Sequence, residues 1–271
     1  MDKLEIERRN LVTKVPAVTL GFWIIKILAT TFGETMGDTV SMSWLGETTA
    51  KAGQSGLNGY LIGTALFGAI FAALAFAQIR SRSFHPFLYW ATIIASTTVG
   101  TTLADYTTRS LGIGYPGGSI LLLSLVFVSL IVWHRSLGTI SVASIHRREA
   151  EVFYWLTITF SQTLGTALGD WVADGSLGYL GAAVIFGGLL ALIAAACFFT
   201  KANRVLLFWA AFILTRPLGA VVGDFLDKPV SHGGLELSRL AASIVLGIAI
   251  ALLVFVLPQR AETALQQEHL H

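Results

Sequence analysis

The segment Trp23-Ile24-Ile25-Lys26-Ile27-Leu28-Ala29-Thr30-Thr31-Phe32-Gly33-Glu34-Thr35-Met36-Gly37-Asp38 is largely apolar, yet it carries a lysine, a glutamate and an aspartate. Its skeleton recurs. Trp23/Asp38 is followed by Trp90/Asp105, Trp155/Asp170 and Trp209/Asp224, each pair fifteen residues apart. The chain has seven Trp and seven Asp in 271 residues. Chance would give roughly 0.2 such pairs, so a spacing found four times is an internal repeat. Five residues before each Asp stands a glycine (Gly33, Gly100, Gly165, Gly219), and immediately before it a glycine or alanine (Gly37, Ala104, Gly169, Gly223). Small residues four apart let two helix backbones approach closely.

Between these skeletons lie blander runs such as Gly59 to Ala77, Ser119 to Trp133, Gly178 to Phe199 and Leu240 to Leu257. Each is near the ~20 residues that cross a bilayer as a helix. The chain is 54% hydrophobic and 13% charged, with a mean hydropathy of +0.71; a soluble domain is roughly a quarter charged. The pattern predicts an all-α membrane protein of eight transmembrane helices, a single integral membrane domain over residues 1–271. Four parallel two-helix repeats fall at about 16–80, 84–135, 149–201 and 203–258. Two spans per repeat bring every repeat into the membrane in the same direction, which sets the repeat axis along the membrane normal. The odd helices, which hold the polar residues, are expected inside; the even helices are expected outside, against lipid. At 1.5 Å per residue the Trp and the Asp stand ~22 Å apart, near opposite ends of the hydrocarbon core. The tryptophans read as interface anchors.

The cationic residues divide unevenly. Lys3, Arg8, Arg9, Lys14, Arg80, Arg82, Arg135, Arg147, Arg148, Lys201, Arg204 and Arg260 fall on one side, and chiefly Lys51, Arg109, Lys228 and Arg239 on the other. The positive-inside rule then places both termini in the cytoplasm and the aspartates toward the outside of the cell (inner) membrane. The first apolar run, from Pro16, exceeds a signal-peptide core and lacks a small-x-small cleavage site, so it is read as a retained helix. The single cysteine, Cys197, excludes an internal disulfide. A net charge of +2 distributed in this way reports topology and points to no nucleic-acid partner.

With its Trp, Gly and Asp positions and the Gly33-Glu34-Thr35-Met36-Gly37-Asp38 segment, nearly the whole chain resembles a family of bacterial membrane proteins. That family is made of four tandem repeats of unknown function, each with two spans and a characteristic tryptophan. The resemblance implies the architecture and no chemistry. Ala104 in repeat two and Arg216-Pro217 in repeat four depart from a strict fourfold pattern.

Positions four, eight, twelve and fifteen before each Asp lie near one helix face. Repeat one presents Asp38, Glu34, Thr30, Lys26 and Trp23; repeat two presents Asp105, Thr101, Thr97, Ile93 and Trp90. Repeat three presents Asp170, Thr166, Gln162, Ile158 and Trp155; repeat four presents Asp224, Ala220, Arg216, Phe212 and Trp209. Pro217 is expected to kink its helix. Ionisable residues inside membrane helices mark ion paths, proton relays or binding sites, since each costs about 3 kcal/mol or more to insert. Glu34 is the deepest acid and Arg216 the deepest base, and the two are expected to interact, with Arg216 and Lys26 as the gating or charge-pair residues. Lys26 belongs to the same stripe. Lying only ~4.5 Å along the helix from Trp23, it is expected to snorkel to the cytoplasmic surface. Asp174 and Asp227, a turn beyond their stripes, are expected to face solvent.

Carboxylates and hydroxyls are hard oxygen ligands, suited to Mg²⁺, Ca²⁺ or Mn²⁺. The five inner acids, Glu34, Asp38, Asp105, Asp170 and Asp224, outnumber Lys26 and Arg216 by a formal −3. This reads as a path for a small cation, a divalent metal such as manganese with Glu34 and Asp38 as its ligands. Clustered carboxylates raise one another's proton affinity and would supply proton coupling. The expected partners are lipid, a small cation and protons; a homo-oligomer is compatible, and no bound cofactor is expected beyond a divalent cation as substrate. Two other readings stay open. The chain can be a structural or ligand-responsive membrane module whose buried charges fix helix register, or a membrane-embedded enzyme acting on a lipid or quinone. No nucleotide loop or nucleophile elbow supports catalysis. The stretch Gly114-Tyr115-Pro116-Gly117-Gly118-Ser119 reads as a turn.

Overall fold

The computed structural model describes residues 12–47, 58–145 and 147–263. Lys3, Arg8, Arg9, Lys51 and His146 lie outside the described residues. Eight α-helices follow in order: α1 (Leu20–Asp38), α2 (Gly59–Arg80), α3 (Pro86–Asp105), α4 (Gly114–Leu137), α5 (Arg148–Ala173), α6 (Gly178–Phe199), α7 (Arg204–Asp227) and α8 (Arg239–Val256). Local chemistry sets their starts. Thr19 and Asn58 accept the Phe22 and Leu61 amides at 3.2 and 3.0 Å, and Pro86 occupies the first turn of α3. Beyond their aspartates, α1 and α3 widen into π-helical turns at Thr39–Trp44 and Tyr106–Ser110. The Gly114 to Ser119 stretch is helical, contrary to its reading as a turn: α4 begins at Gly114, and a proline is tolerated in a first turn because the amide it lacks has no helical partner there.

Among the described residues six helices, α2, α3, α4, α6, α7 and α8, are long and apolar enough to cross a membrane. The chain is therefore a multi-pass helical membrane protein. α1, α3, α5 and α7 form a closed ring, each packed on the next and α7 returning to α1. Each even helix packs chiefly on the odd helix of the following repeat: α2 on α3, α4 on α5, α6 on α7, and α8 on α1. This exchange between neighbours ties all four repeats together. The even helices turn Leu, Ile and Phe outward; 11% of the α6 span is buried, against 72% of the α3 span.

The glycines explain how the ring closes. A Cβ added at Gly33 would stand 2.1 Å from Thr97 Oγ1; at Gly100, 2.9 Å from Gln162 Cβ; at Gly165, 2.2 Å from Arg216 Cγ; at Gly219, 2.2 Å from Thr30 Oγ1. In every repeat, the glycine five before the Asp receives the residue eight before the next repeat's Asp. The second glycine works alike, with Gly37 against Thr101 and Gly223 against Glu34. Close approach lets Thr97 Oγ1 donate to Ala29 O at 3.1 Å, and Thr30 Oγ1 to Thr215 O at 3.2 Å. Such bonds join helices that have no hydrophobic drive to associate in lipid. α7 runs through Pro217 as one helix.

At the Trp end the aromatic residues are core. Trp90, Trp155 and Trp209 are 2%, 4% and 2% exposed, so they are not headgroup anchors as expected. They pack edge-on and tilted with Phe22, Tyr89, Tyr154, Phe208 and Trp133, because quadrupolar rings favour such contacts. Below them two short strands, β1 (Val12–Pro16) and β2 (Ala261–Thr263), pair antiparallel as a clasp. Lys14 Nζ donates to the carbonyls of Gln78, Ile79 and Ser81 at 3.2, 3.0 and 2.9 Å and pairs with Glu151. A residue counted from sequence only as a topology charge thus holds the end of α2.

Candidate functional site

The four stripe faces meet on the ring axis as levels. At the first, Asp38, Asp105, Asp170 and Asp224 are all buried. Two cations divide them. Lys228 Nζ binds Asp38 and lies 2.9 Å from Asp224 Oδ1, with Asp227 at 3.8 Å. Arg109 lies 3.2 Å from Asp105 Oδ1 and 2.9 Å from Asp170 Oδ2. Each cation stands four residues after the Asp of its own repeat and reaches the Asp of the next. Burial works against the charge of Lys228, but Asp224, Asp38 and Asp227 outweigh it and hold the ammonium above the usual lysine range.

One turn deeper, Arg216 extends from α7 across the axis and touches all three other ring helices. Its Nη2 donates to Glu34 Oε2 at 2.9 Å, to Thr101 Oγ1 at 2.6 Å and to Thr166 Oγ1. Its Nη1 reaches Thr30 O at 3.4 Å. Thr101 and Thr166 also donate to Glu34 Oε2, at 3.3 and 3.4 Å. Both members of the pair are buried, at 0% and 3% side-chain exposure. The glycine at 165 is the physical condition for this reach, since the arginine stem lies on it.

Glu34, Asp38 and Asp224 each offer an oxygen, all within 4.8 Å of one another, an arrangement able to hold a metal ion. Asp224 joins the two ligands expected from sequence. Further polar atoms on the ring helices are buried without a hydrogen bond among the described residues: Lys26 Nζ, both Gln162 amide atoms, Asp105 Oδ2 and Arg216 Nε. Buried polar atoms are nearly always bonded, so orphans gathered in one interior mark where water or a ligand belongs.

Four segments of the chain, residues 21–84, 88–139, 153–203 and 207–260, match a family described as Repeat of Unknown Function (DUF347). The chain belongs to this DUF347 repeat family. Neither the curated proteins nor the solved structures gave a match.

Across the four DUF347 repeats, several expectations need correction. Lys26 does not snorkel: it is 0% exposed, with its Nζ 4.2 Å from the centroid of the Phe212 ring, because α7 closes over the face that sequence left open. The formal −3 does not stand, since Arg109 and Lys228, assigned to external segments, enter the cluster and bring four cations against five acids. Asp227 is buried between Lys228 and Arg239, at 3.8 and 3.2 Å, and does not face solvent. Asp174 is exposed. The missed cations had a signal: DUF347 repeats two and four carry a basic residue four positions, one helical turn, after the Asp, where an ion pair is favoured.

Proposed function

We propose that this chain is a transporter that moves a small cation across the cytoplasmic membrane along the ring axis, with eight spans and both termini in the cytoplasm. The observation that carries the reading is the Glu34, Asp38 and Asp224 cluster, buried on the axis of a closed helix ring with its oxygens within 4.8 Å of one another. Hard oxygen donors favour a divalent ion, and manganese is the first to test. Lys228 and Arg216 hold those carboxylates in the state described, so an arriving cation competes with two tethered ones. In support of eight spans, α1 and α5 lie in the ring beside α3 and α7 and cross whatever thickness those helices cross. In support of the orientation, Arg109, Lys228 and Arg239, the described Lys and Arg residues at the Asp end, are all engaged with buried aspartates. The unevenness behind the positive-inside reading is thereby strengthened.

The test is a melting scan of the detergent-solubilised protein against Mg²⁺, Ca²⁺, Mn²⁺ and Zn²⁺, followed by flux into proteoliposomes. A ligand that binds the native state must stabilise it. The expected result is a saturable, selective rise lost in Asp38→Asn; no rise with any ion, together with no flux, would sink the reading. One observation favours a second, structural reading: each of Glu34, Asp38, Asp105, Asp170 and Asp224 has a counter-ion within 3.2 Å. Buried pairs can serve to fix helix register alone. Under that reading charge-neutralising variants lose stability and no cation restores it.

A further inference from the structure

Lys26 is the buried charge that the cluster leaves over. It is 0% exposed, and its Nζ has no hydrogen-bond partner among the described residues. The groups around it can be named by helix. From α7 come Arg216 and the face of Phe212, 4.2 Å away. At its level α3 and α5 present Ile93 and Ile158, with the Tyr89 and Tyr154 hydroxyls, 2.6 Å apart, one turn further toward the Trp end. α8 has no ionisable residue after Arg239. On α1 itself the acid is Glu34, two turns away and engaged by Arg216 at 2.9 Å.

An ammonium group in an apolar enclosure without an acceptor is strongly disfavoured. It is tolerated here while Glu34 and Arg216 neutralise each other and the Phe212 ring faces the Nζ. Arg216 also has a second acceptor within reach. Its Nη1 already reaches the Thr30 carbonyl, one turn from Lys26 on the same face. A guanidinium released from Glu34 toward Thr30 would confront Lys26 with an unbalanced like charge.

We propose that Lys26 is the proton-binding group of this axis and that Arg216 controls it: when Arg216 is displaced from Glu34, Lys26 gives up its proton. This deepens the cation reading and rests on it for its role in transport. A cation arriving at Glu34 frees Arg216, and the Lys26 ammonium passes one proton to water admitted to the axis, so that one positive charge leaves while the two of a divalent cation enter. The linkage between Arg216 and Lys26 is measurable with no cation present.

The experiment is a pH titration by NMR of protein labelled at lysine Cε, in detergent. The chain has six lysines, and the Lys26 signal is the one missing from Lys26→Met. In the wild type the signal is expected to move with pH. In Glu34→Gln, which frees Arg216, it shifts by one pH unit or more toward acid, about a tenfold loss of proton affinity. In Arg216→Gln it shifts by a similar amount the other way, so either variant suffices if one fails to fold. A Lys26 signal that does not move with pH in the wild type overturns the proposal, as does one that titrates at the same pH in every variant. A purely structural lysine would change melting temperature without these opposed shifts. Absence of any cation effect on melting speaks against transport and leaves the linkage to the NMR result.

Discussion

Arg216 and Glu34 meet at 2.9 Å although 182 residues separate them in the chain, and the guanidinium that joins them also bonds hydroxyls from the two remaining ring helices. One side chain thus ties α1, α3, α5 and α7 at a single level. Removing one partner leaves the other buried without its counter-ion.

Glu34→Gln is therefore expected to destabilise the protein by about 3–5 kcal/mol, the usual effect of leaving a buried charge unpaired. The double variant Glu34→Gln with Arg216→Met should recover most of that loss. Melting of both singles and the double forms a mutant cycle, and a coupling energy near zero would show that the pair does not hold the ring.

Gly165→Ala places a methyl 2.2 Å from Arg216 Cγ, and Gly33→Ala places one 2.1 Å from Thr97 Oγ1. Each should lower stability by about 1–3 kcal/mol through overpacking. Gly188 on α6 has nothing within 4 Å of an added Cβ. Gly188→Ala should be neutral or stabilising by up to about 1 kcal/mol, because alanine is the better helix former. Equal effects at the three positions, measured by thermal unfolding, would contradict the neighbour-locking of the ring.

Lys228→Met removes the ammonium that bridges Asp38 and Asp224. Without cation the variant should melt lower than the wild type. With Mn²⁺ its gain in melting temperature should be larger, and its affinity by calorimetry tighter by about tenfold, equivalent to roughly 1.4 kcal/mol. An unchanged affinity would mean that the lysine and the cation do not share a site.

Lys14→Met strips three carbonyls at the end of α2 of their donor and leaves Glu151 without its ion pair. A loss of about 1–3 kcal/mol is expected, the cost of unsatisfied buried acceptors. Limited proteolysis should show faster cleavage near the terminal strands. Wild-type resistance would show that the clasp does not depend on this lysine.

Much of the site was legible because helix periodicity assigns a residue its face and depth. Glu34 and Arg216 could be paired in advance from depth alone, and the glycines five before each Asp announced close packing. Lys26 was misread because its escape toward the interface depends on whether Phe212 of another helix covers it. Lys228 and Arg109 were placed outside because a residue four past a helix-end aspartate looks terminal in one dimension, while in space it folds back over two carboxylates. The β1–β2 clasp had no signal beyond a polar terminal segment, since two strands of five and three residues carry no periodicity to detect.

The sequence by itself determined that the chain is helical, belongs in a membrane, repeats four times and keeps its polar residues on the odd helices. Spacing and hydropathy act along each helix and need no partner to be read. The tertiary structure alone decided which face meets which: that the ring closes from α7 to α1, that each outer helix covers the next repeat, and that Arg216 crosses the axis while Lys26 is sealed in. Those outcomes depend on what stands opposite a long, flexible side chain, and only packing supplies it.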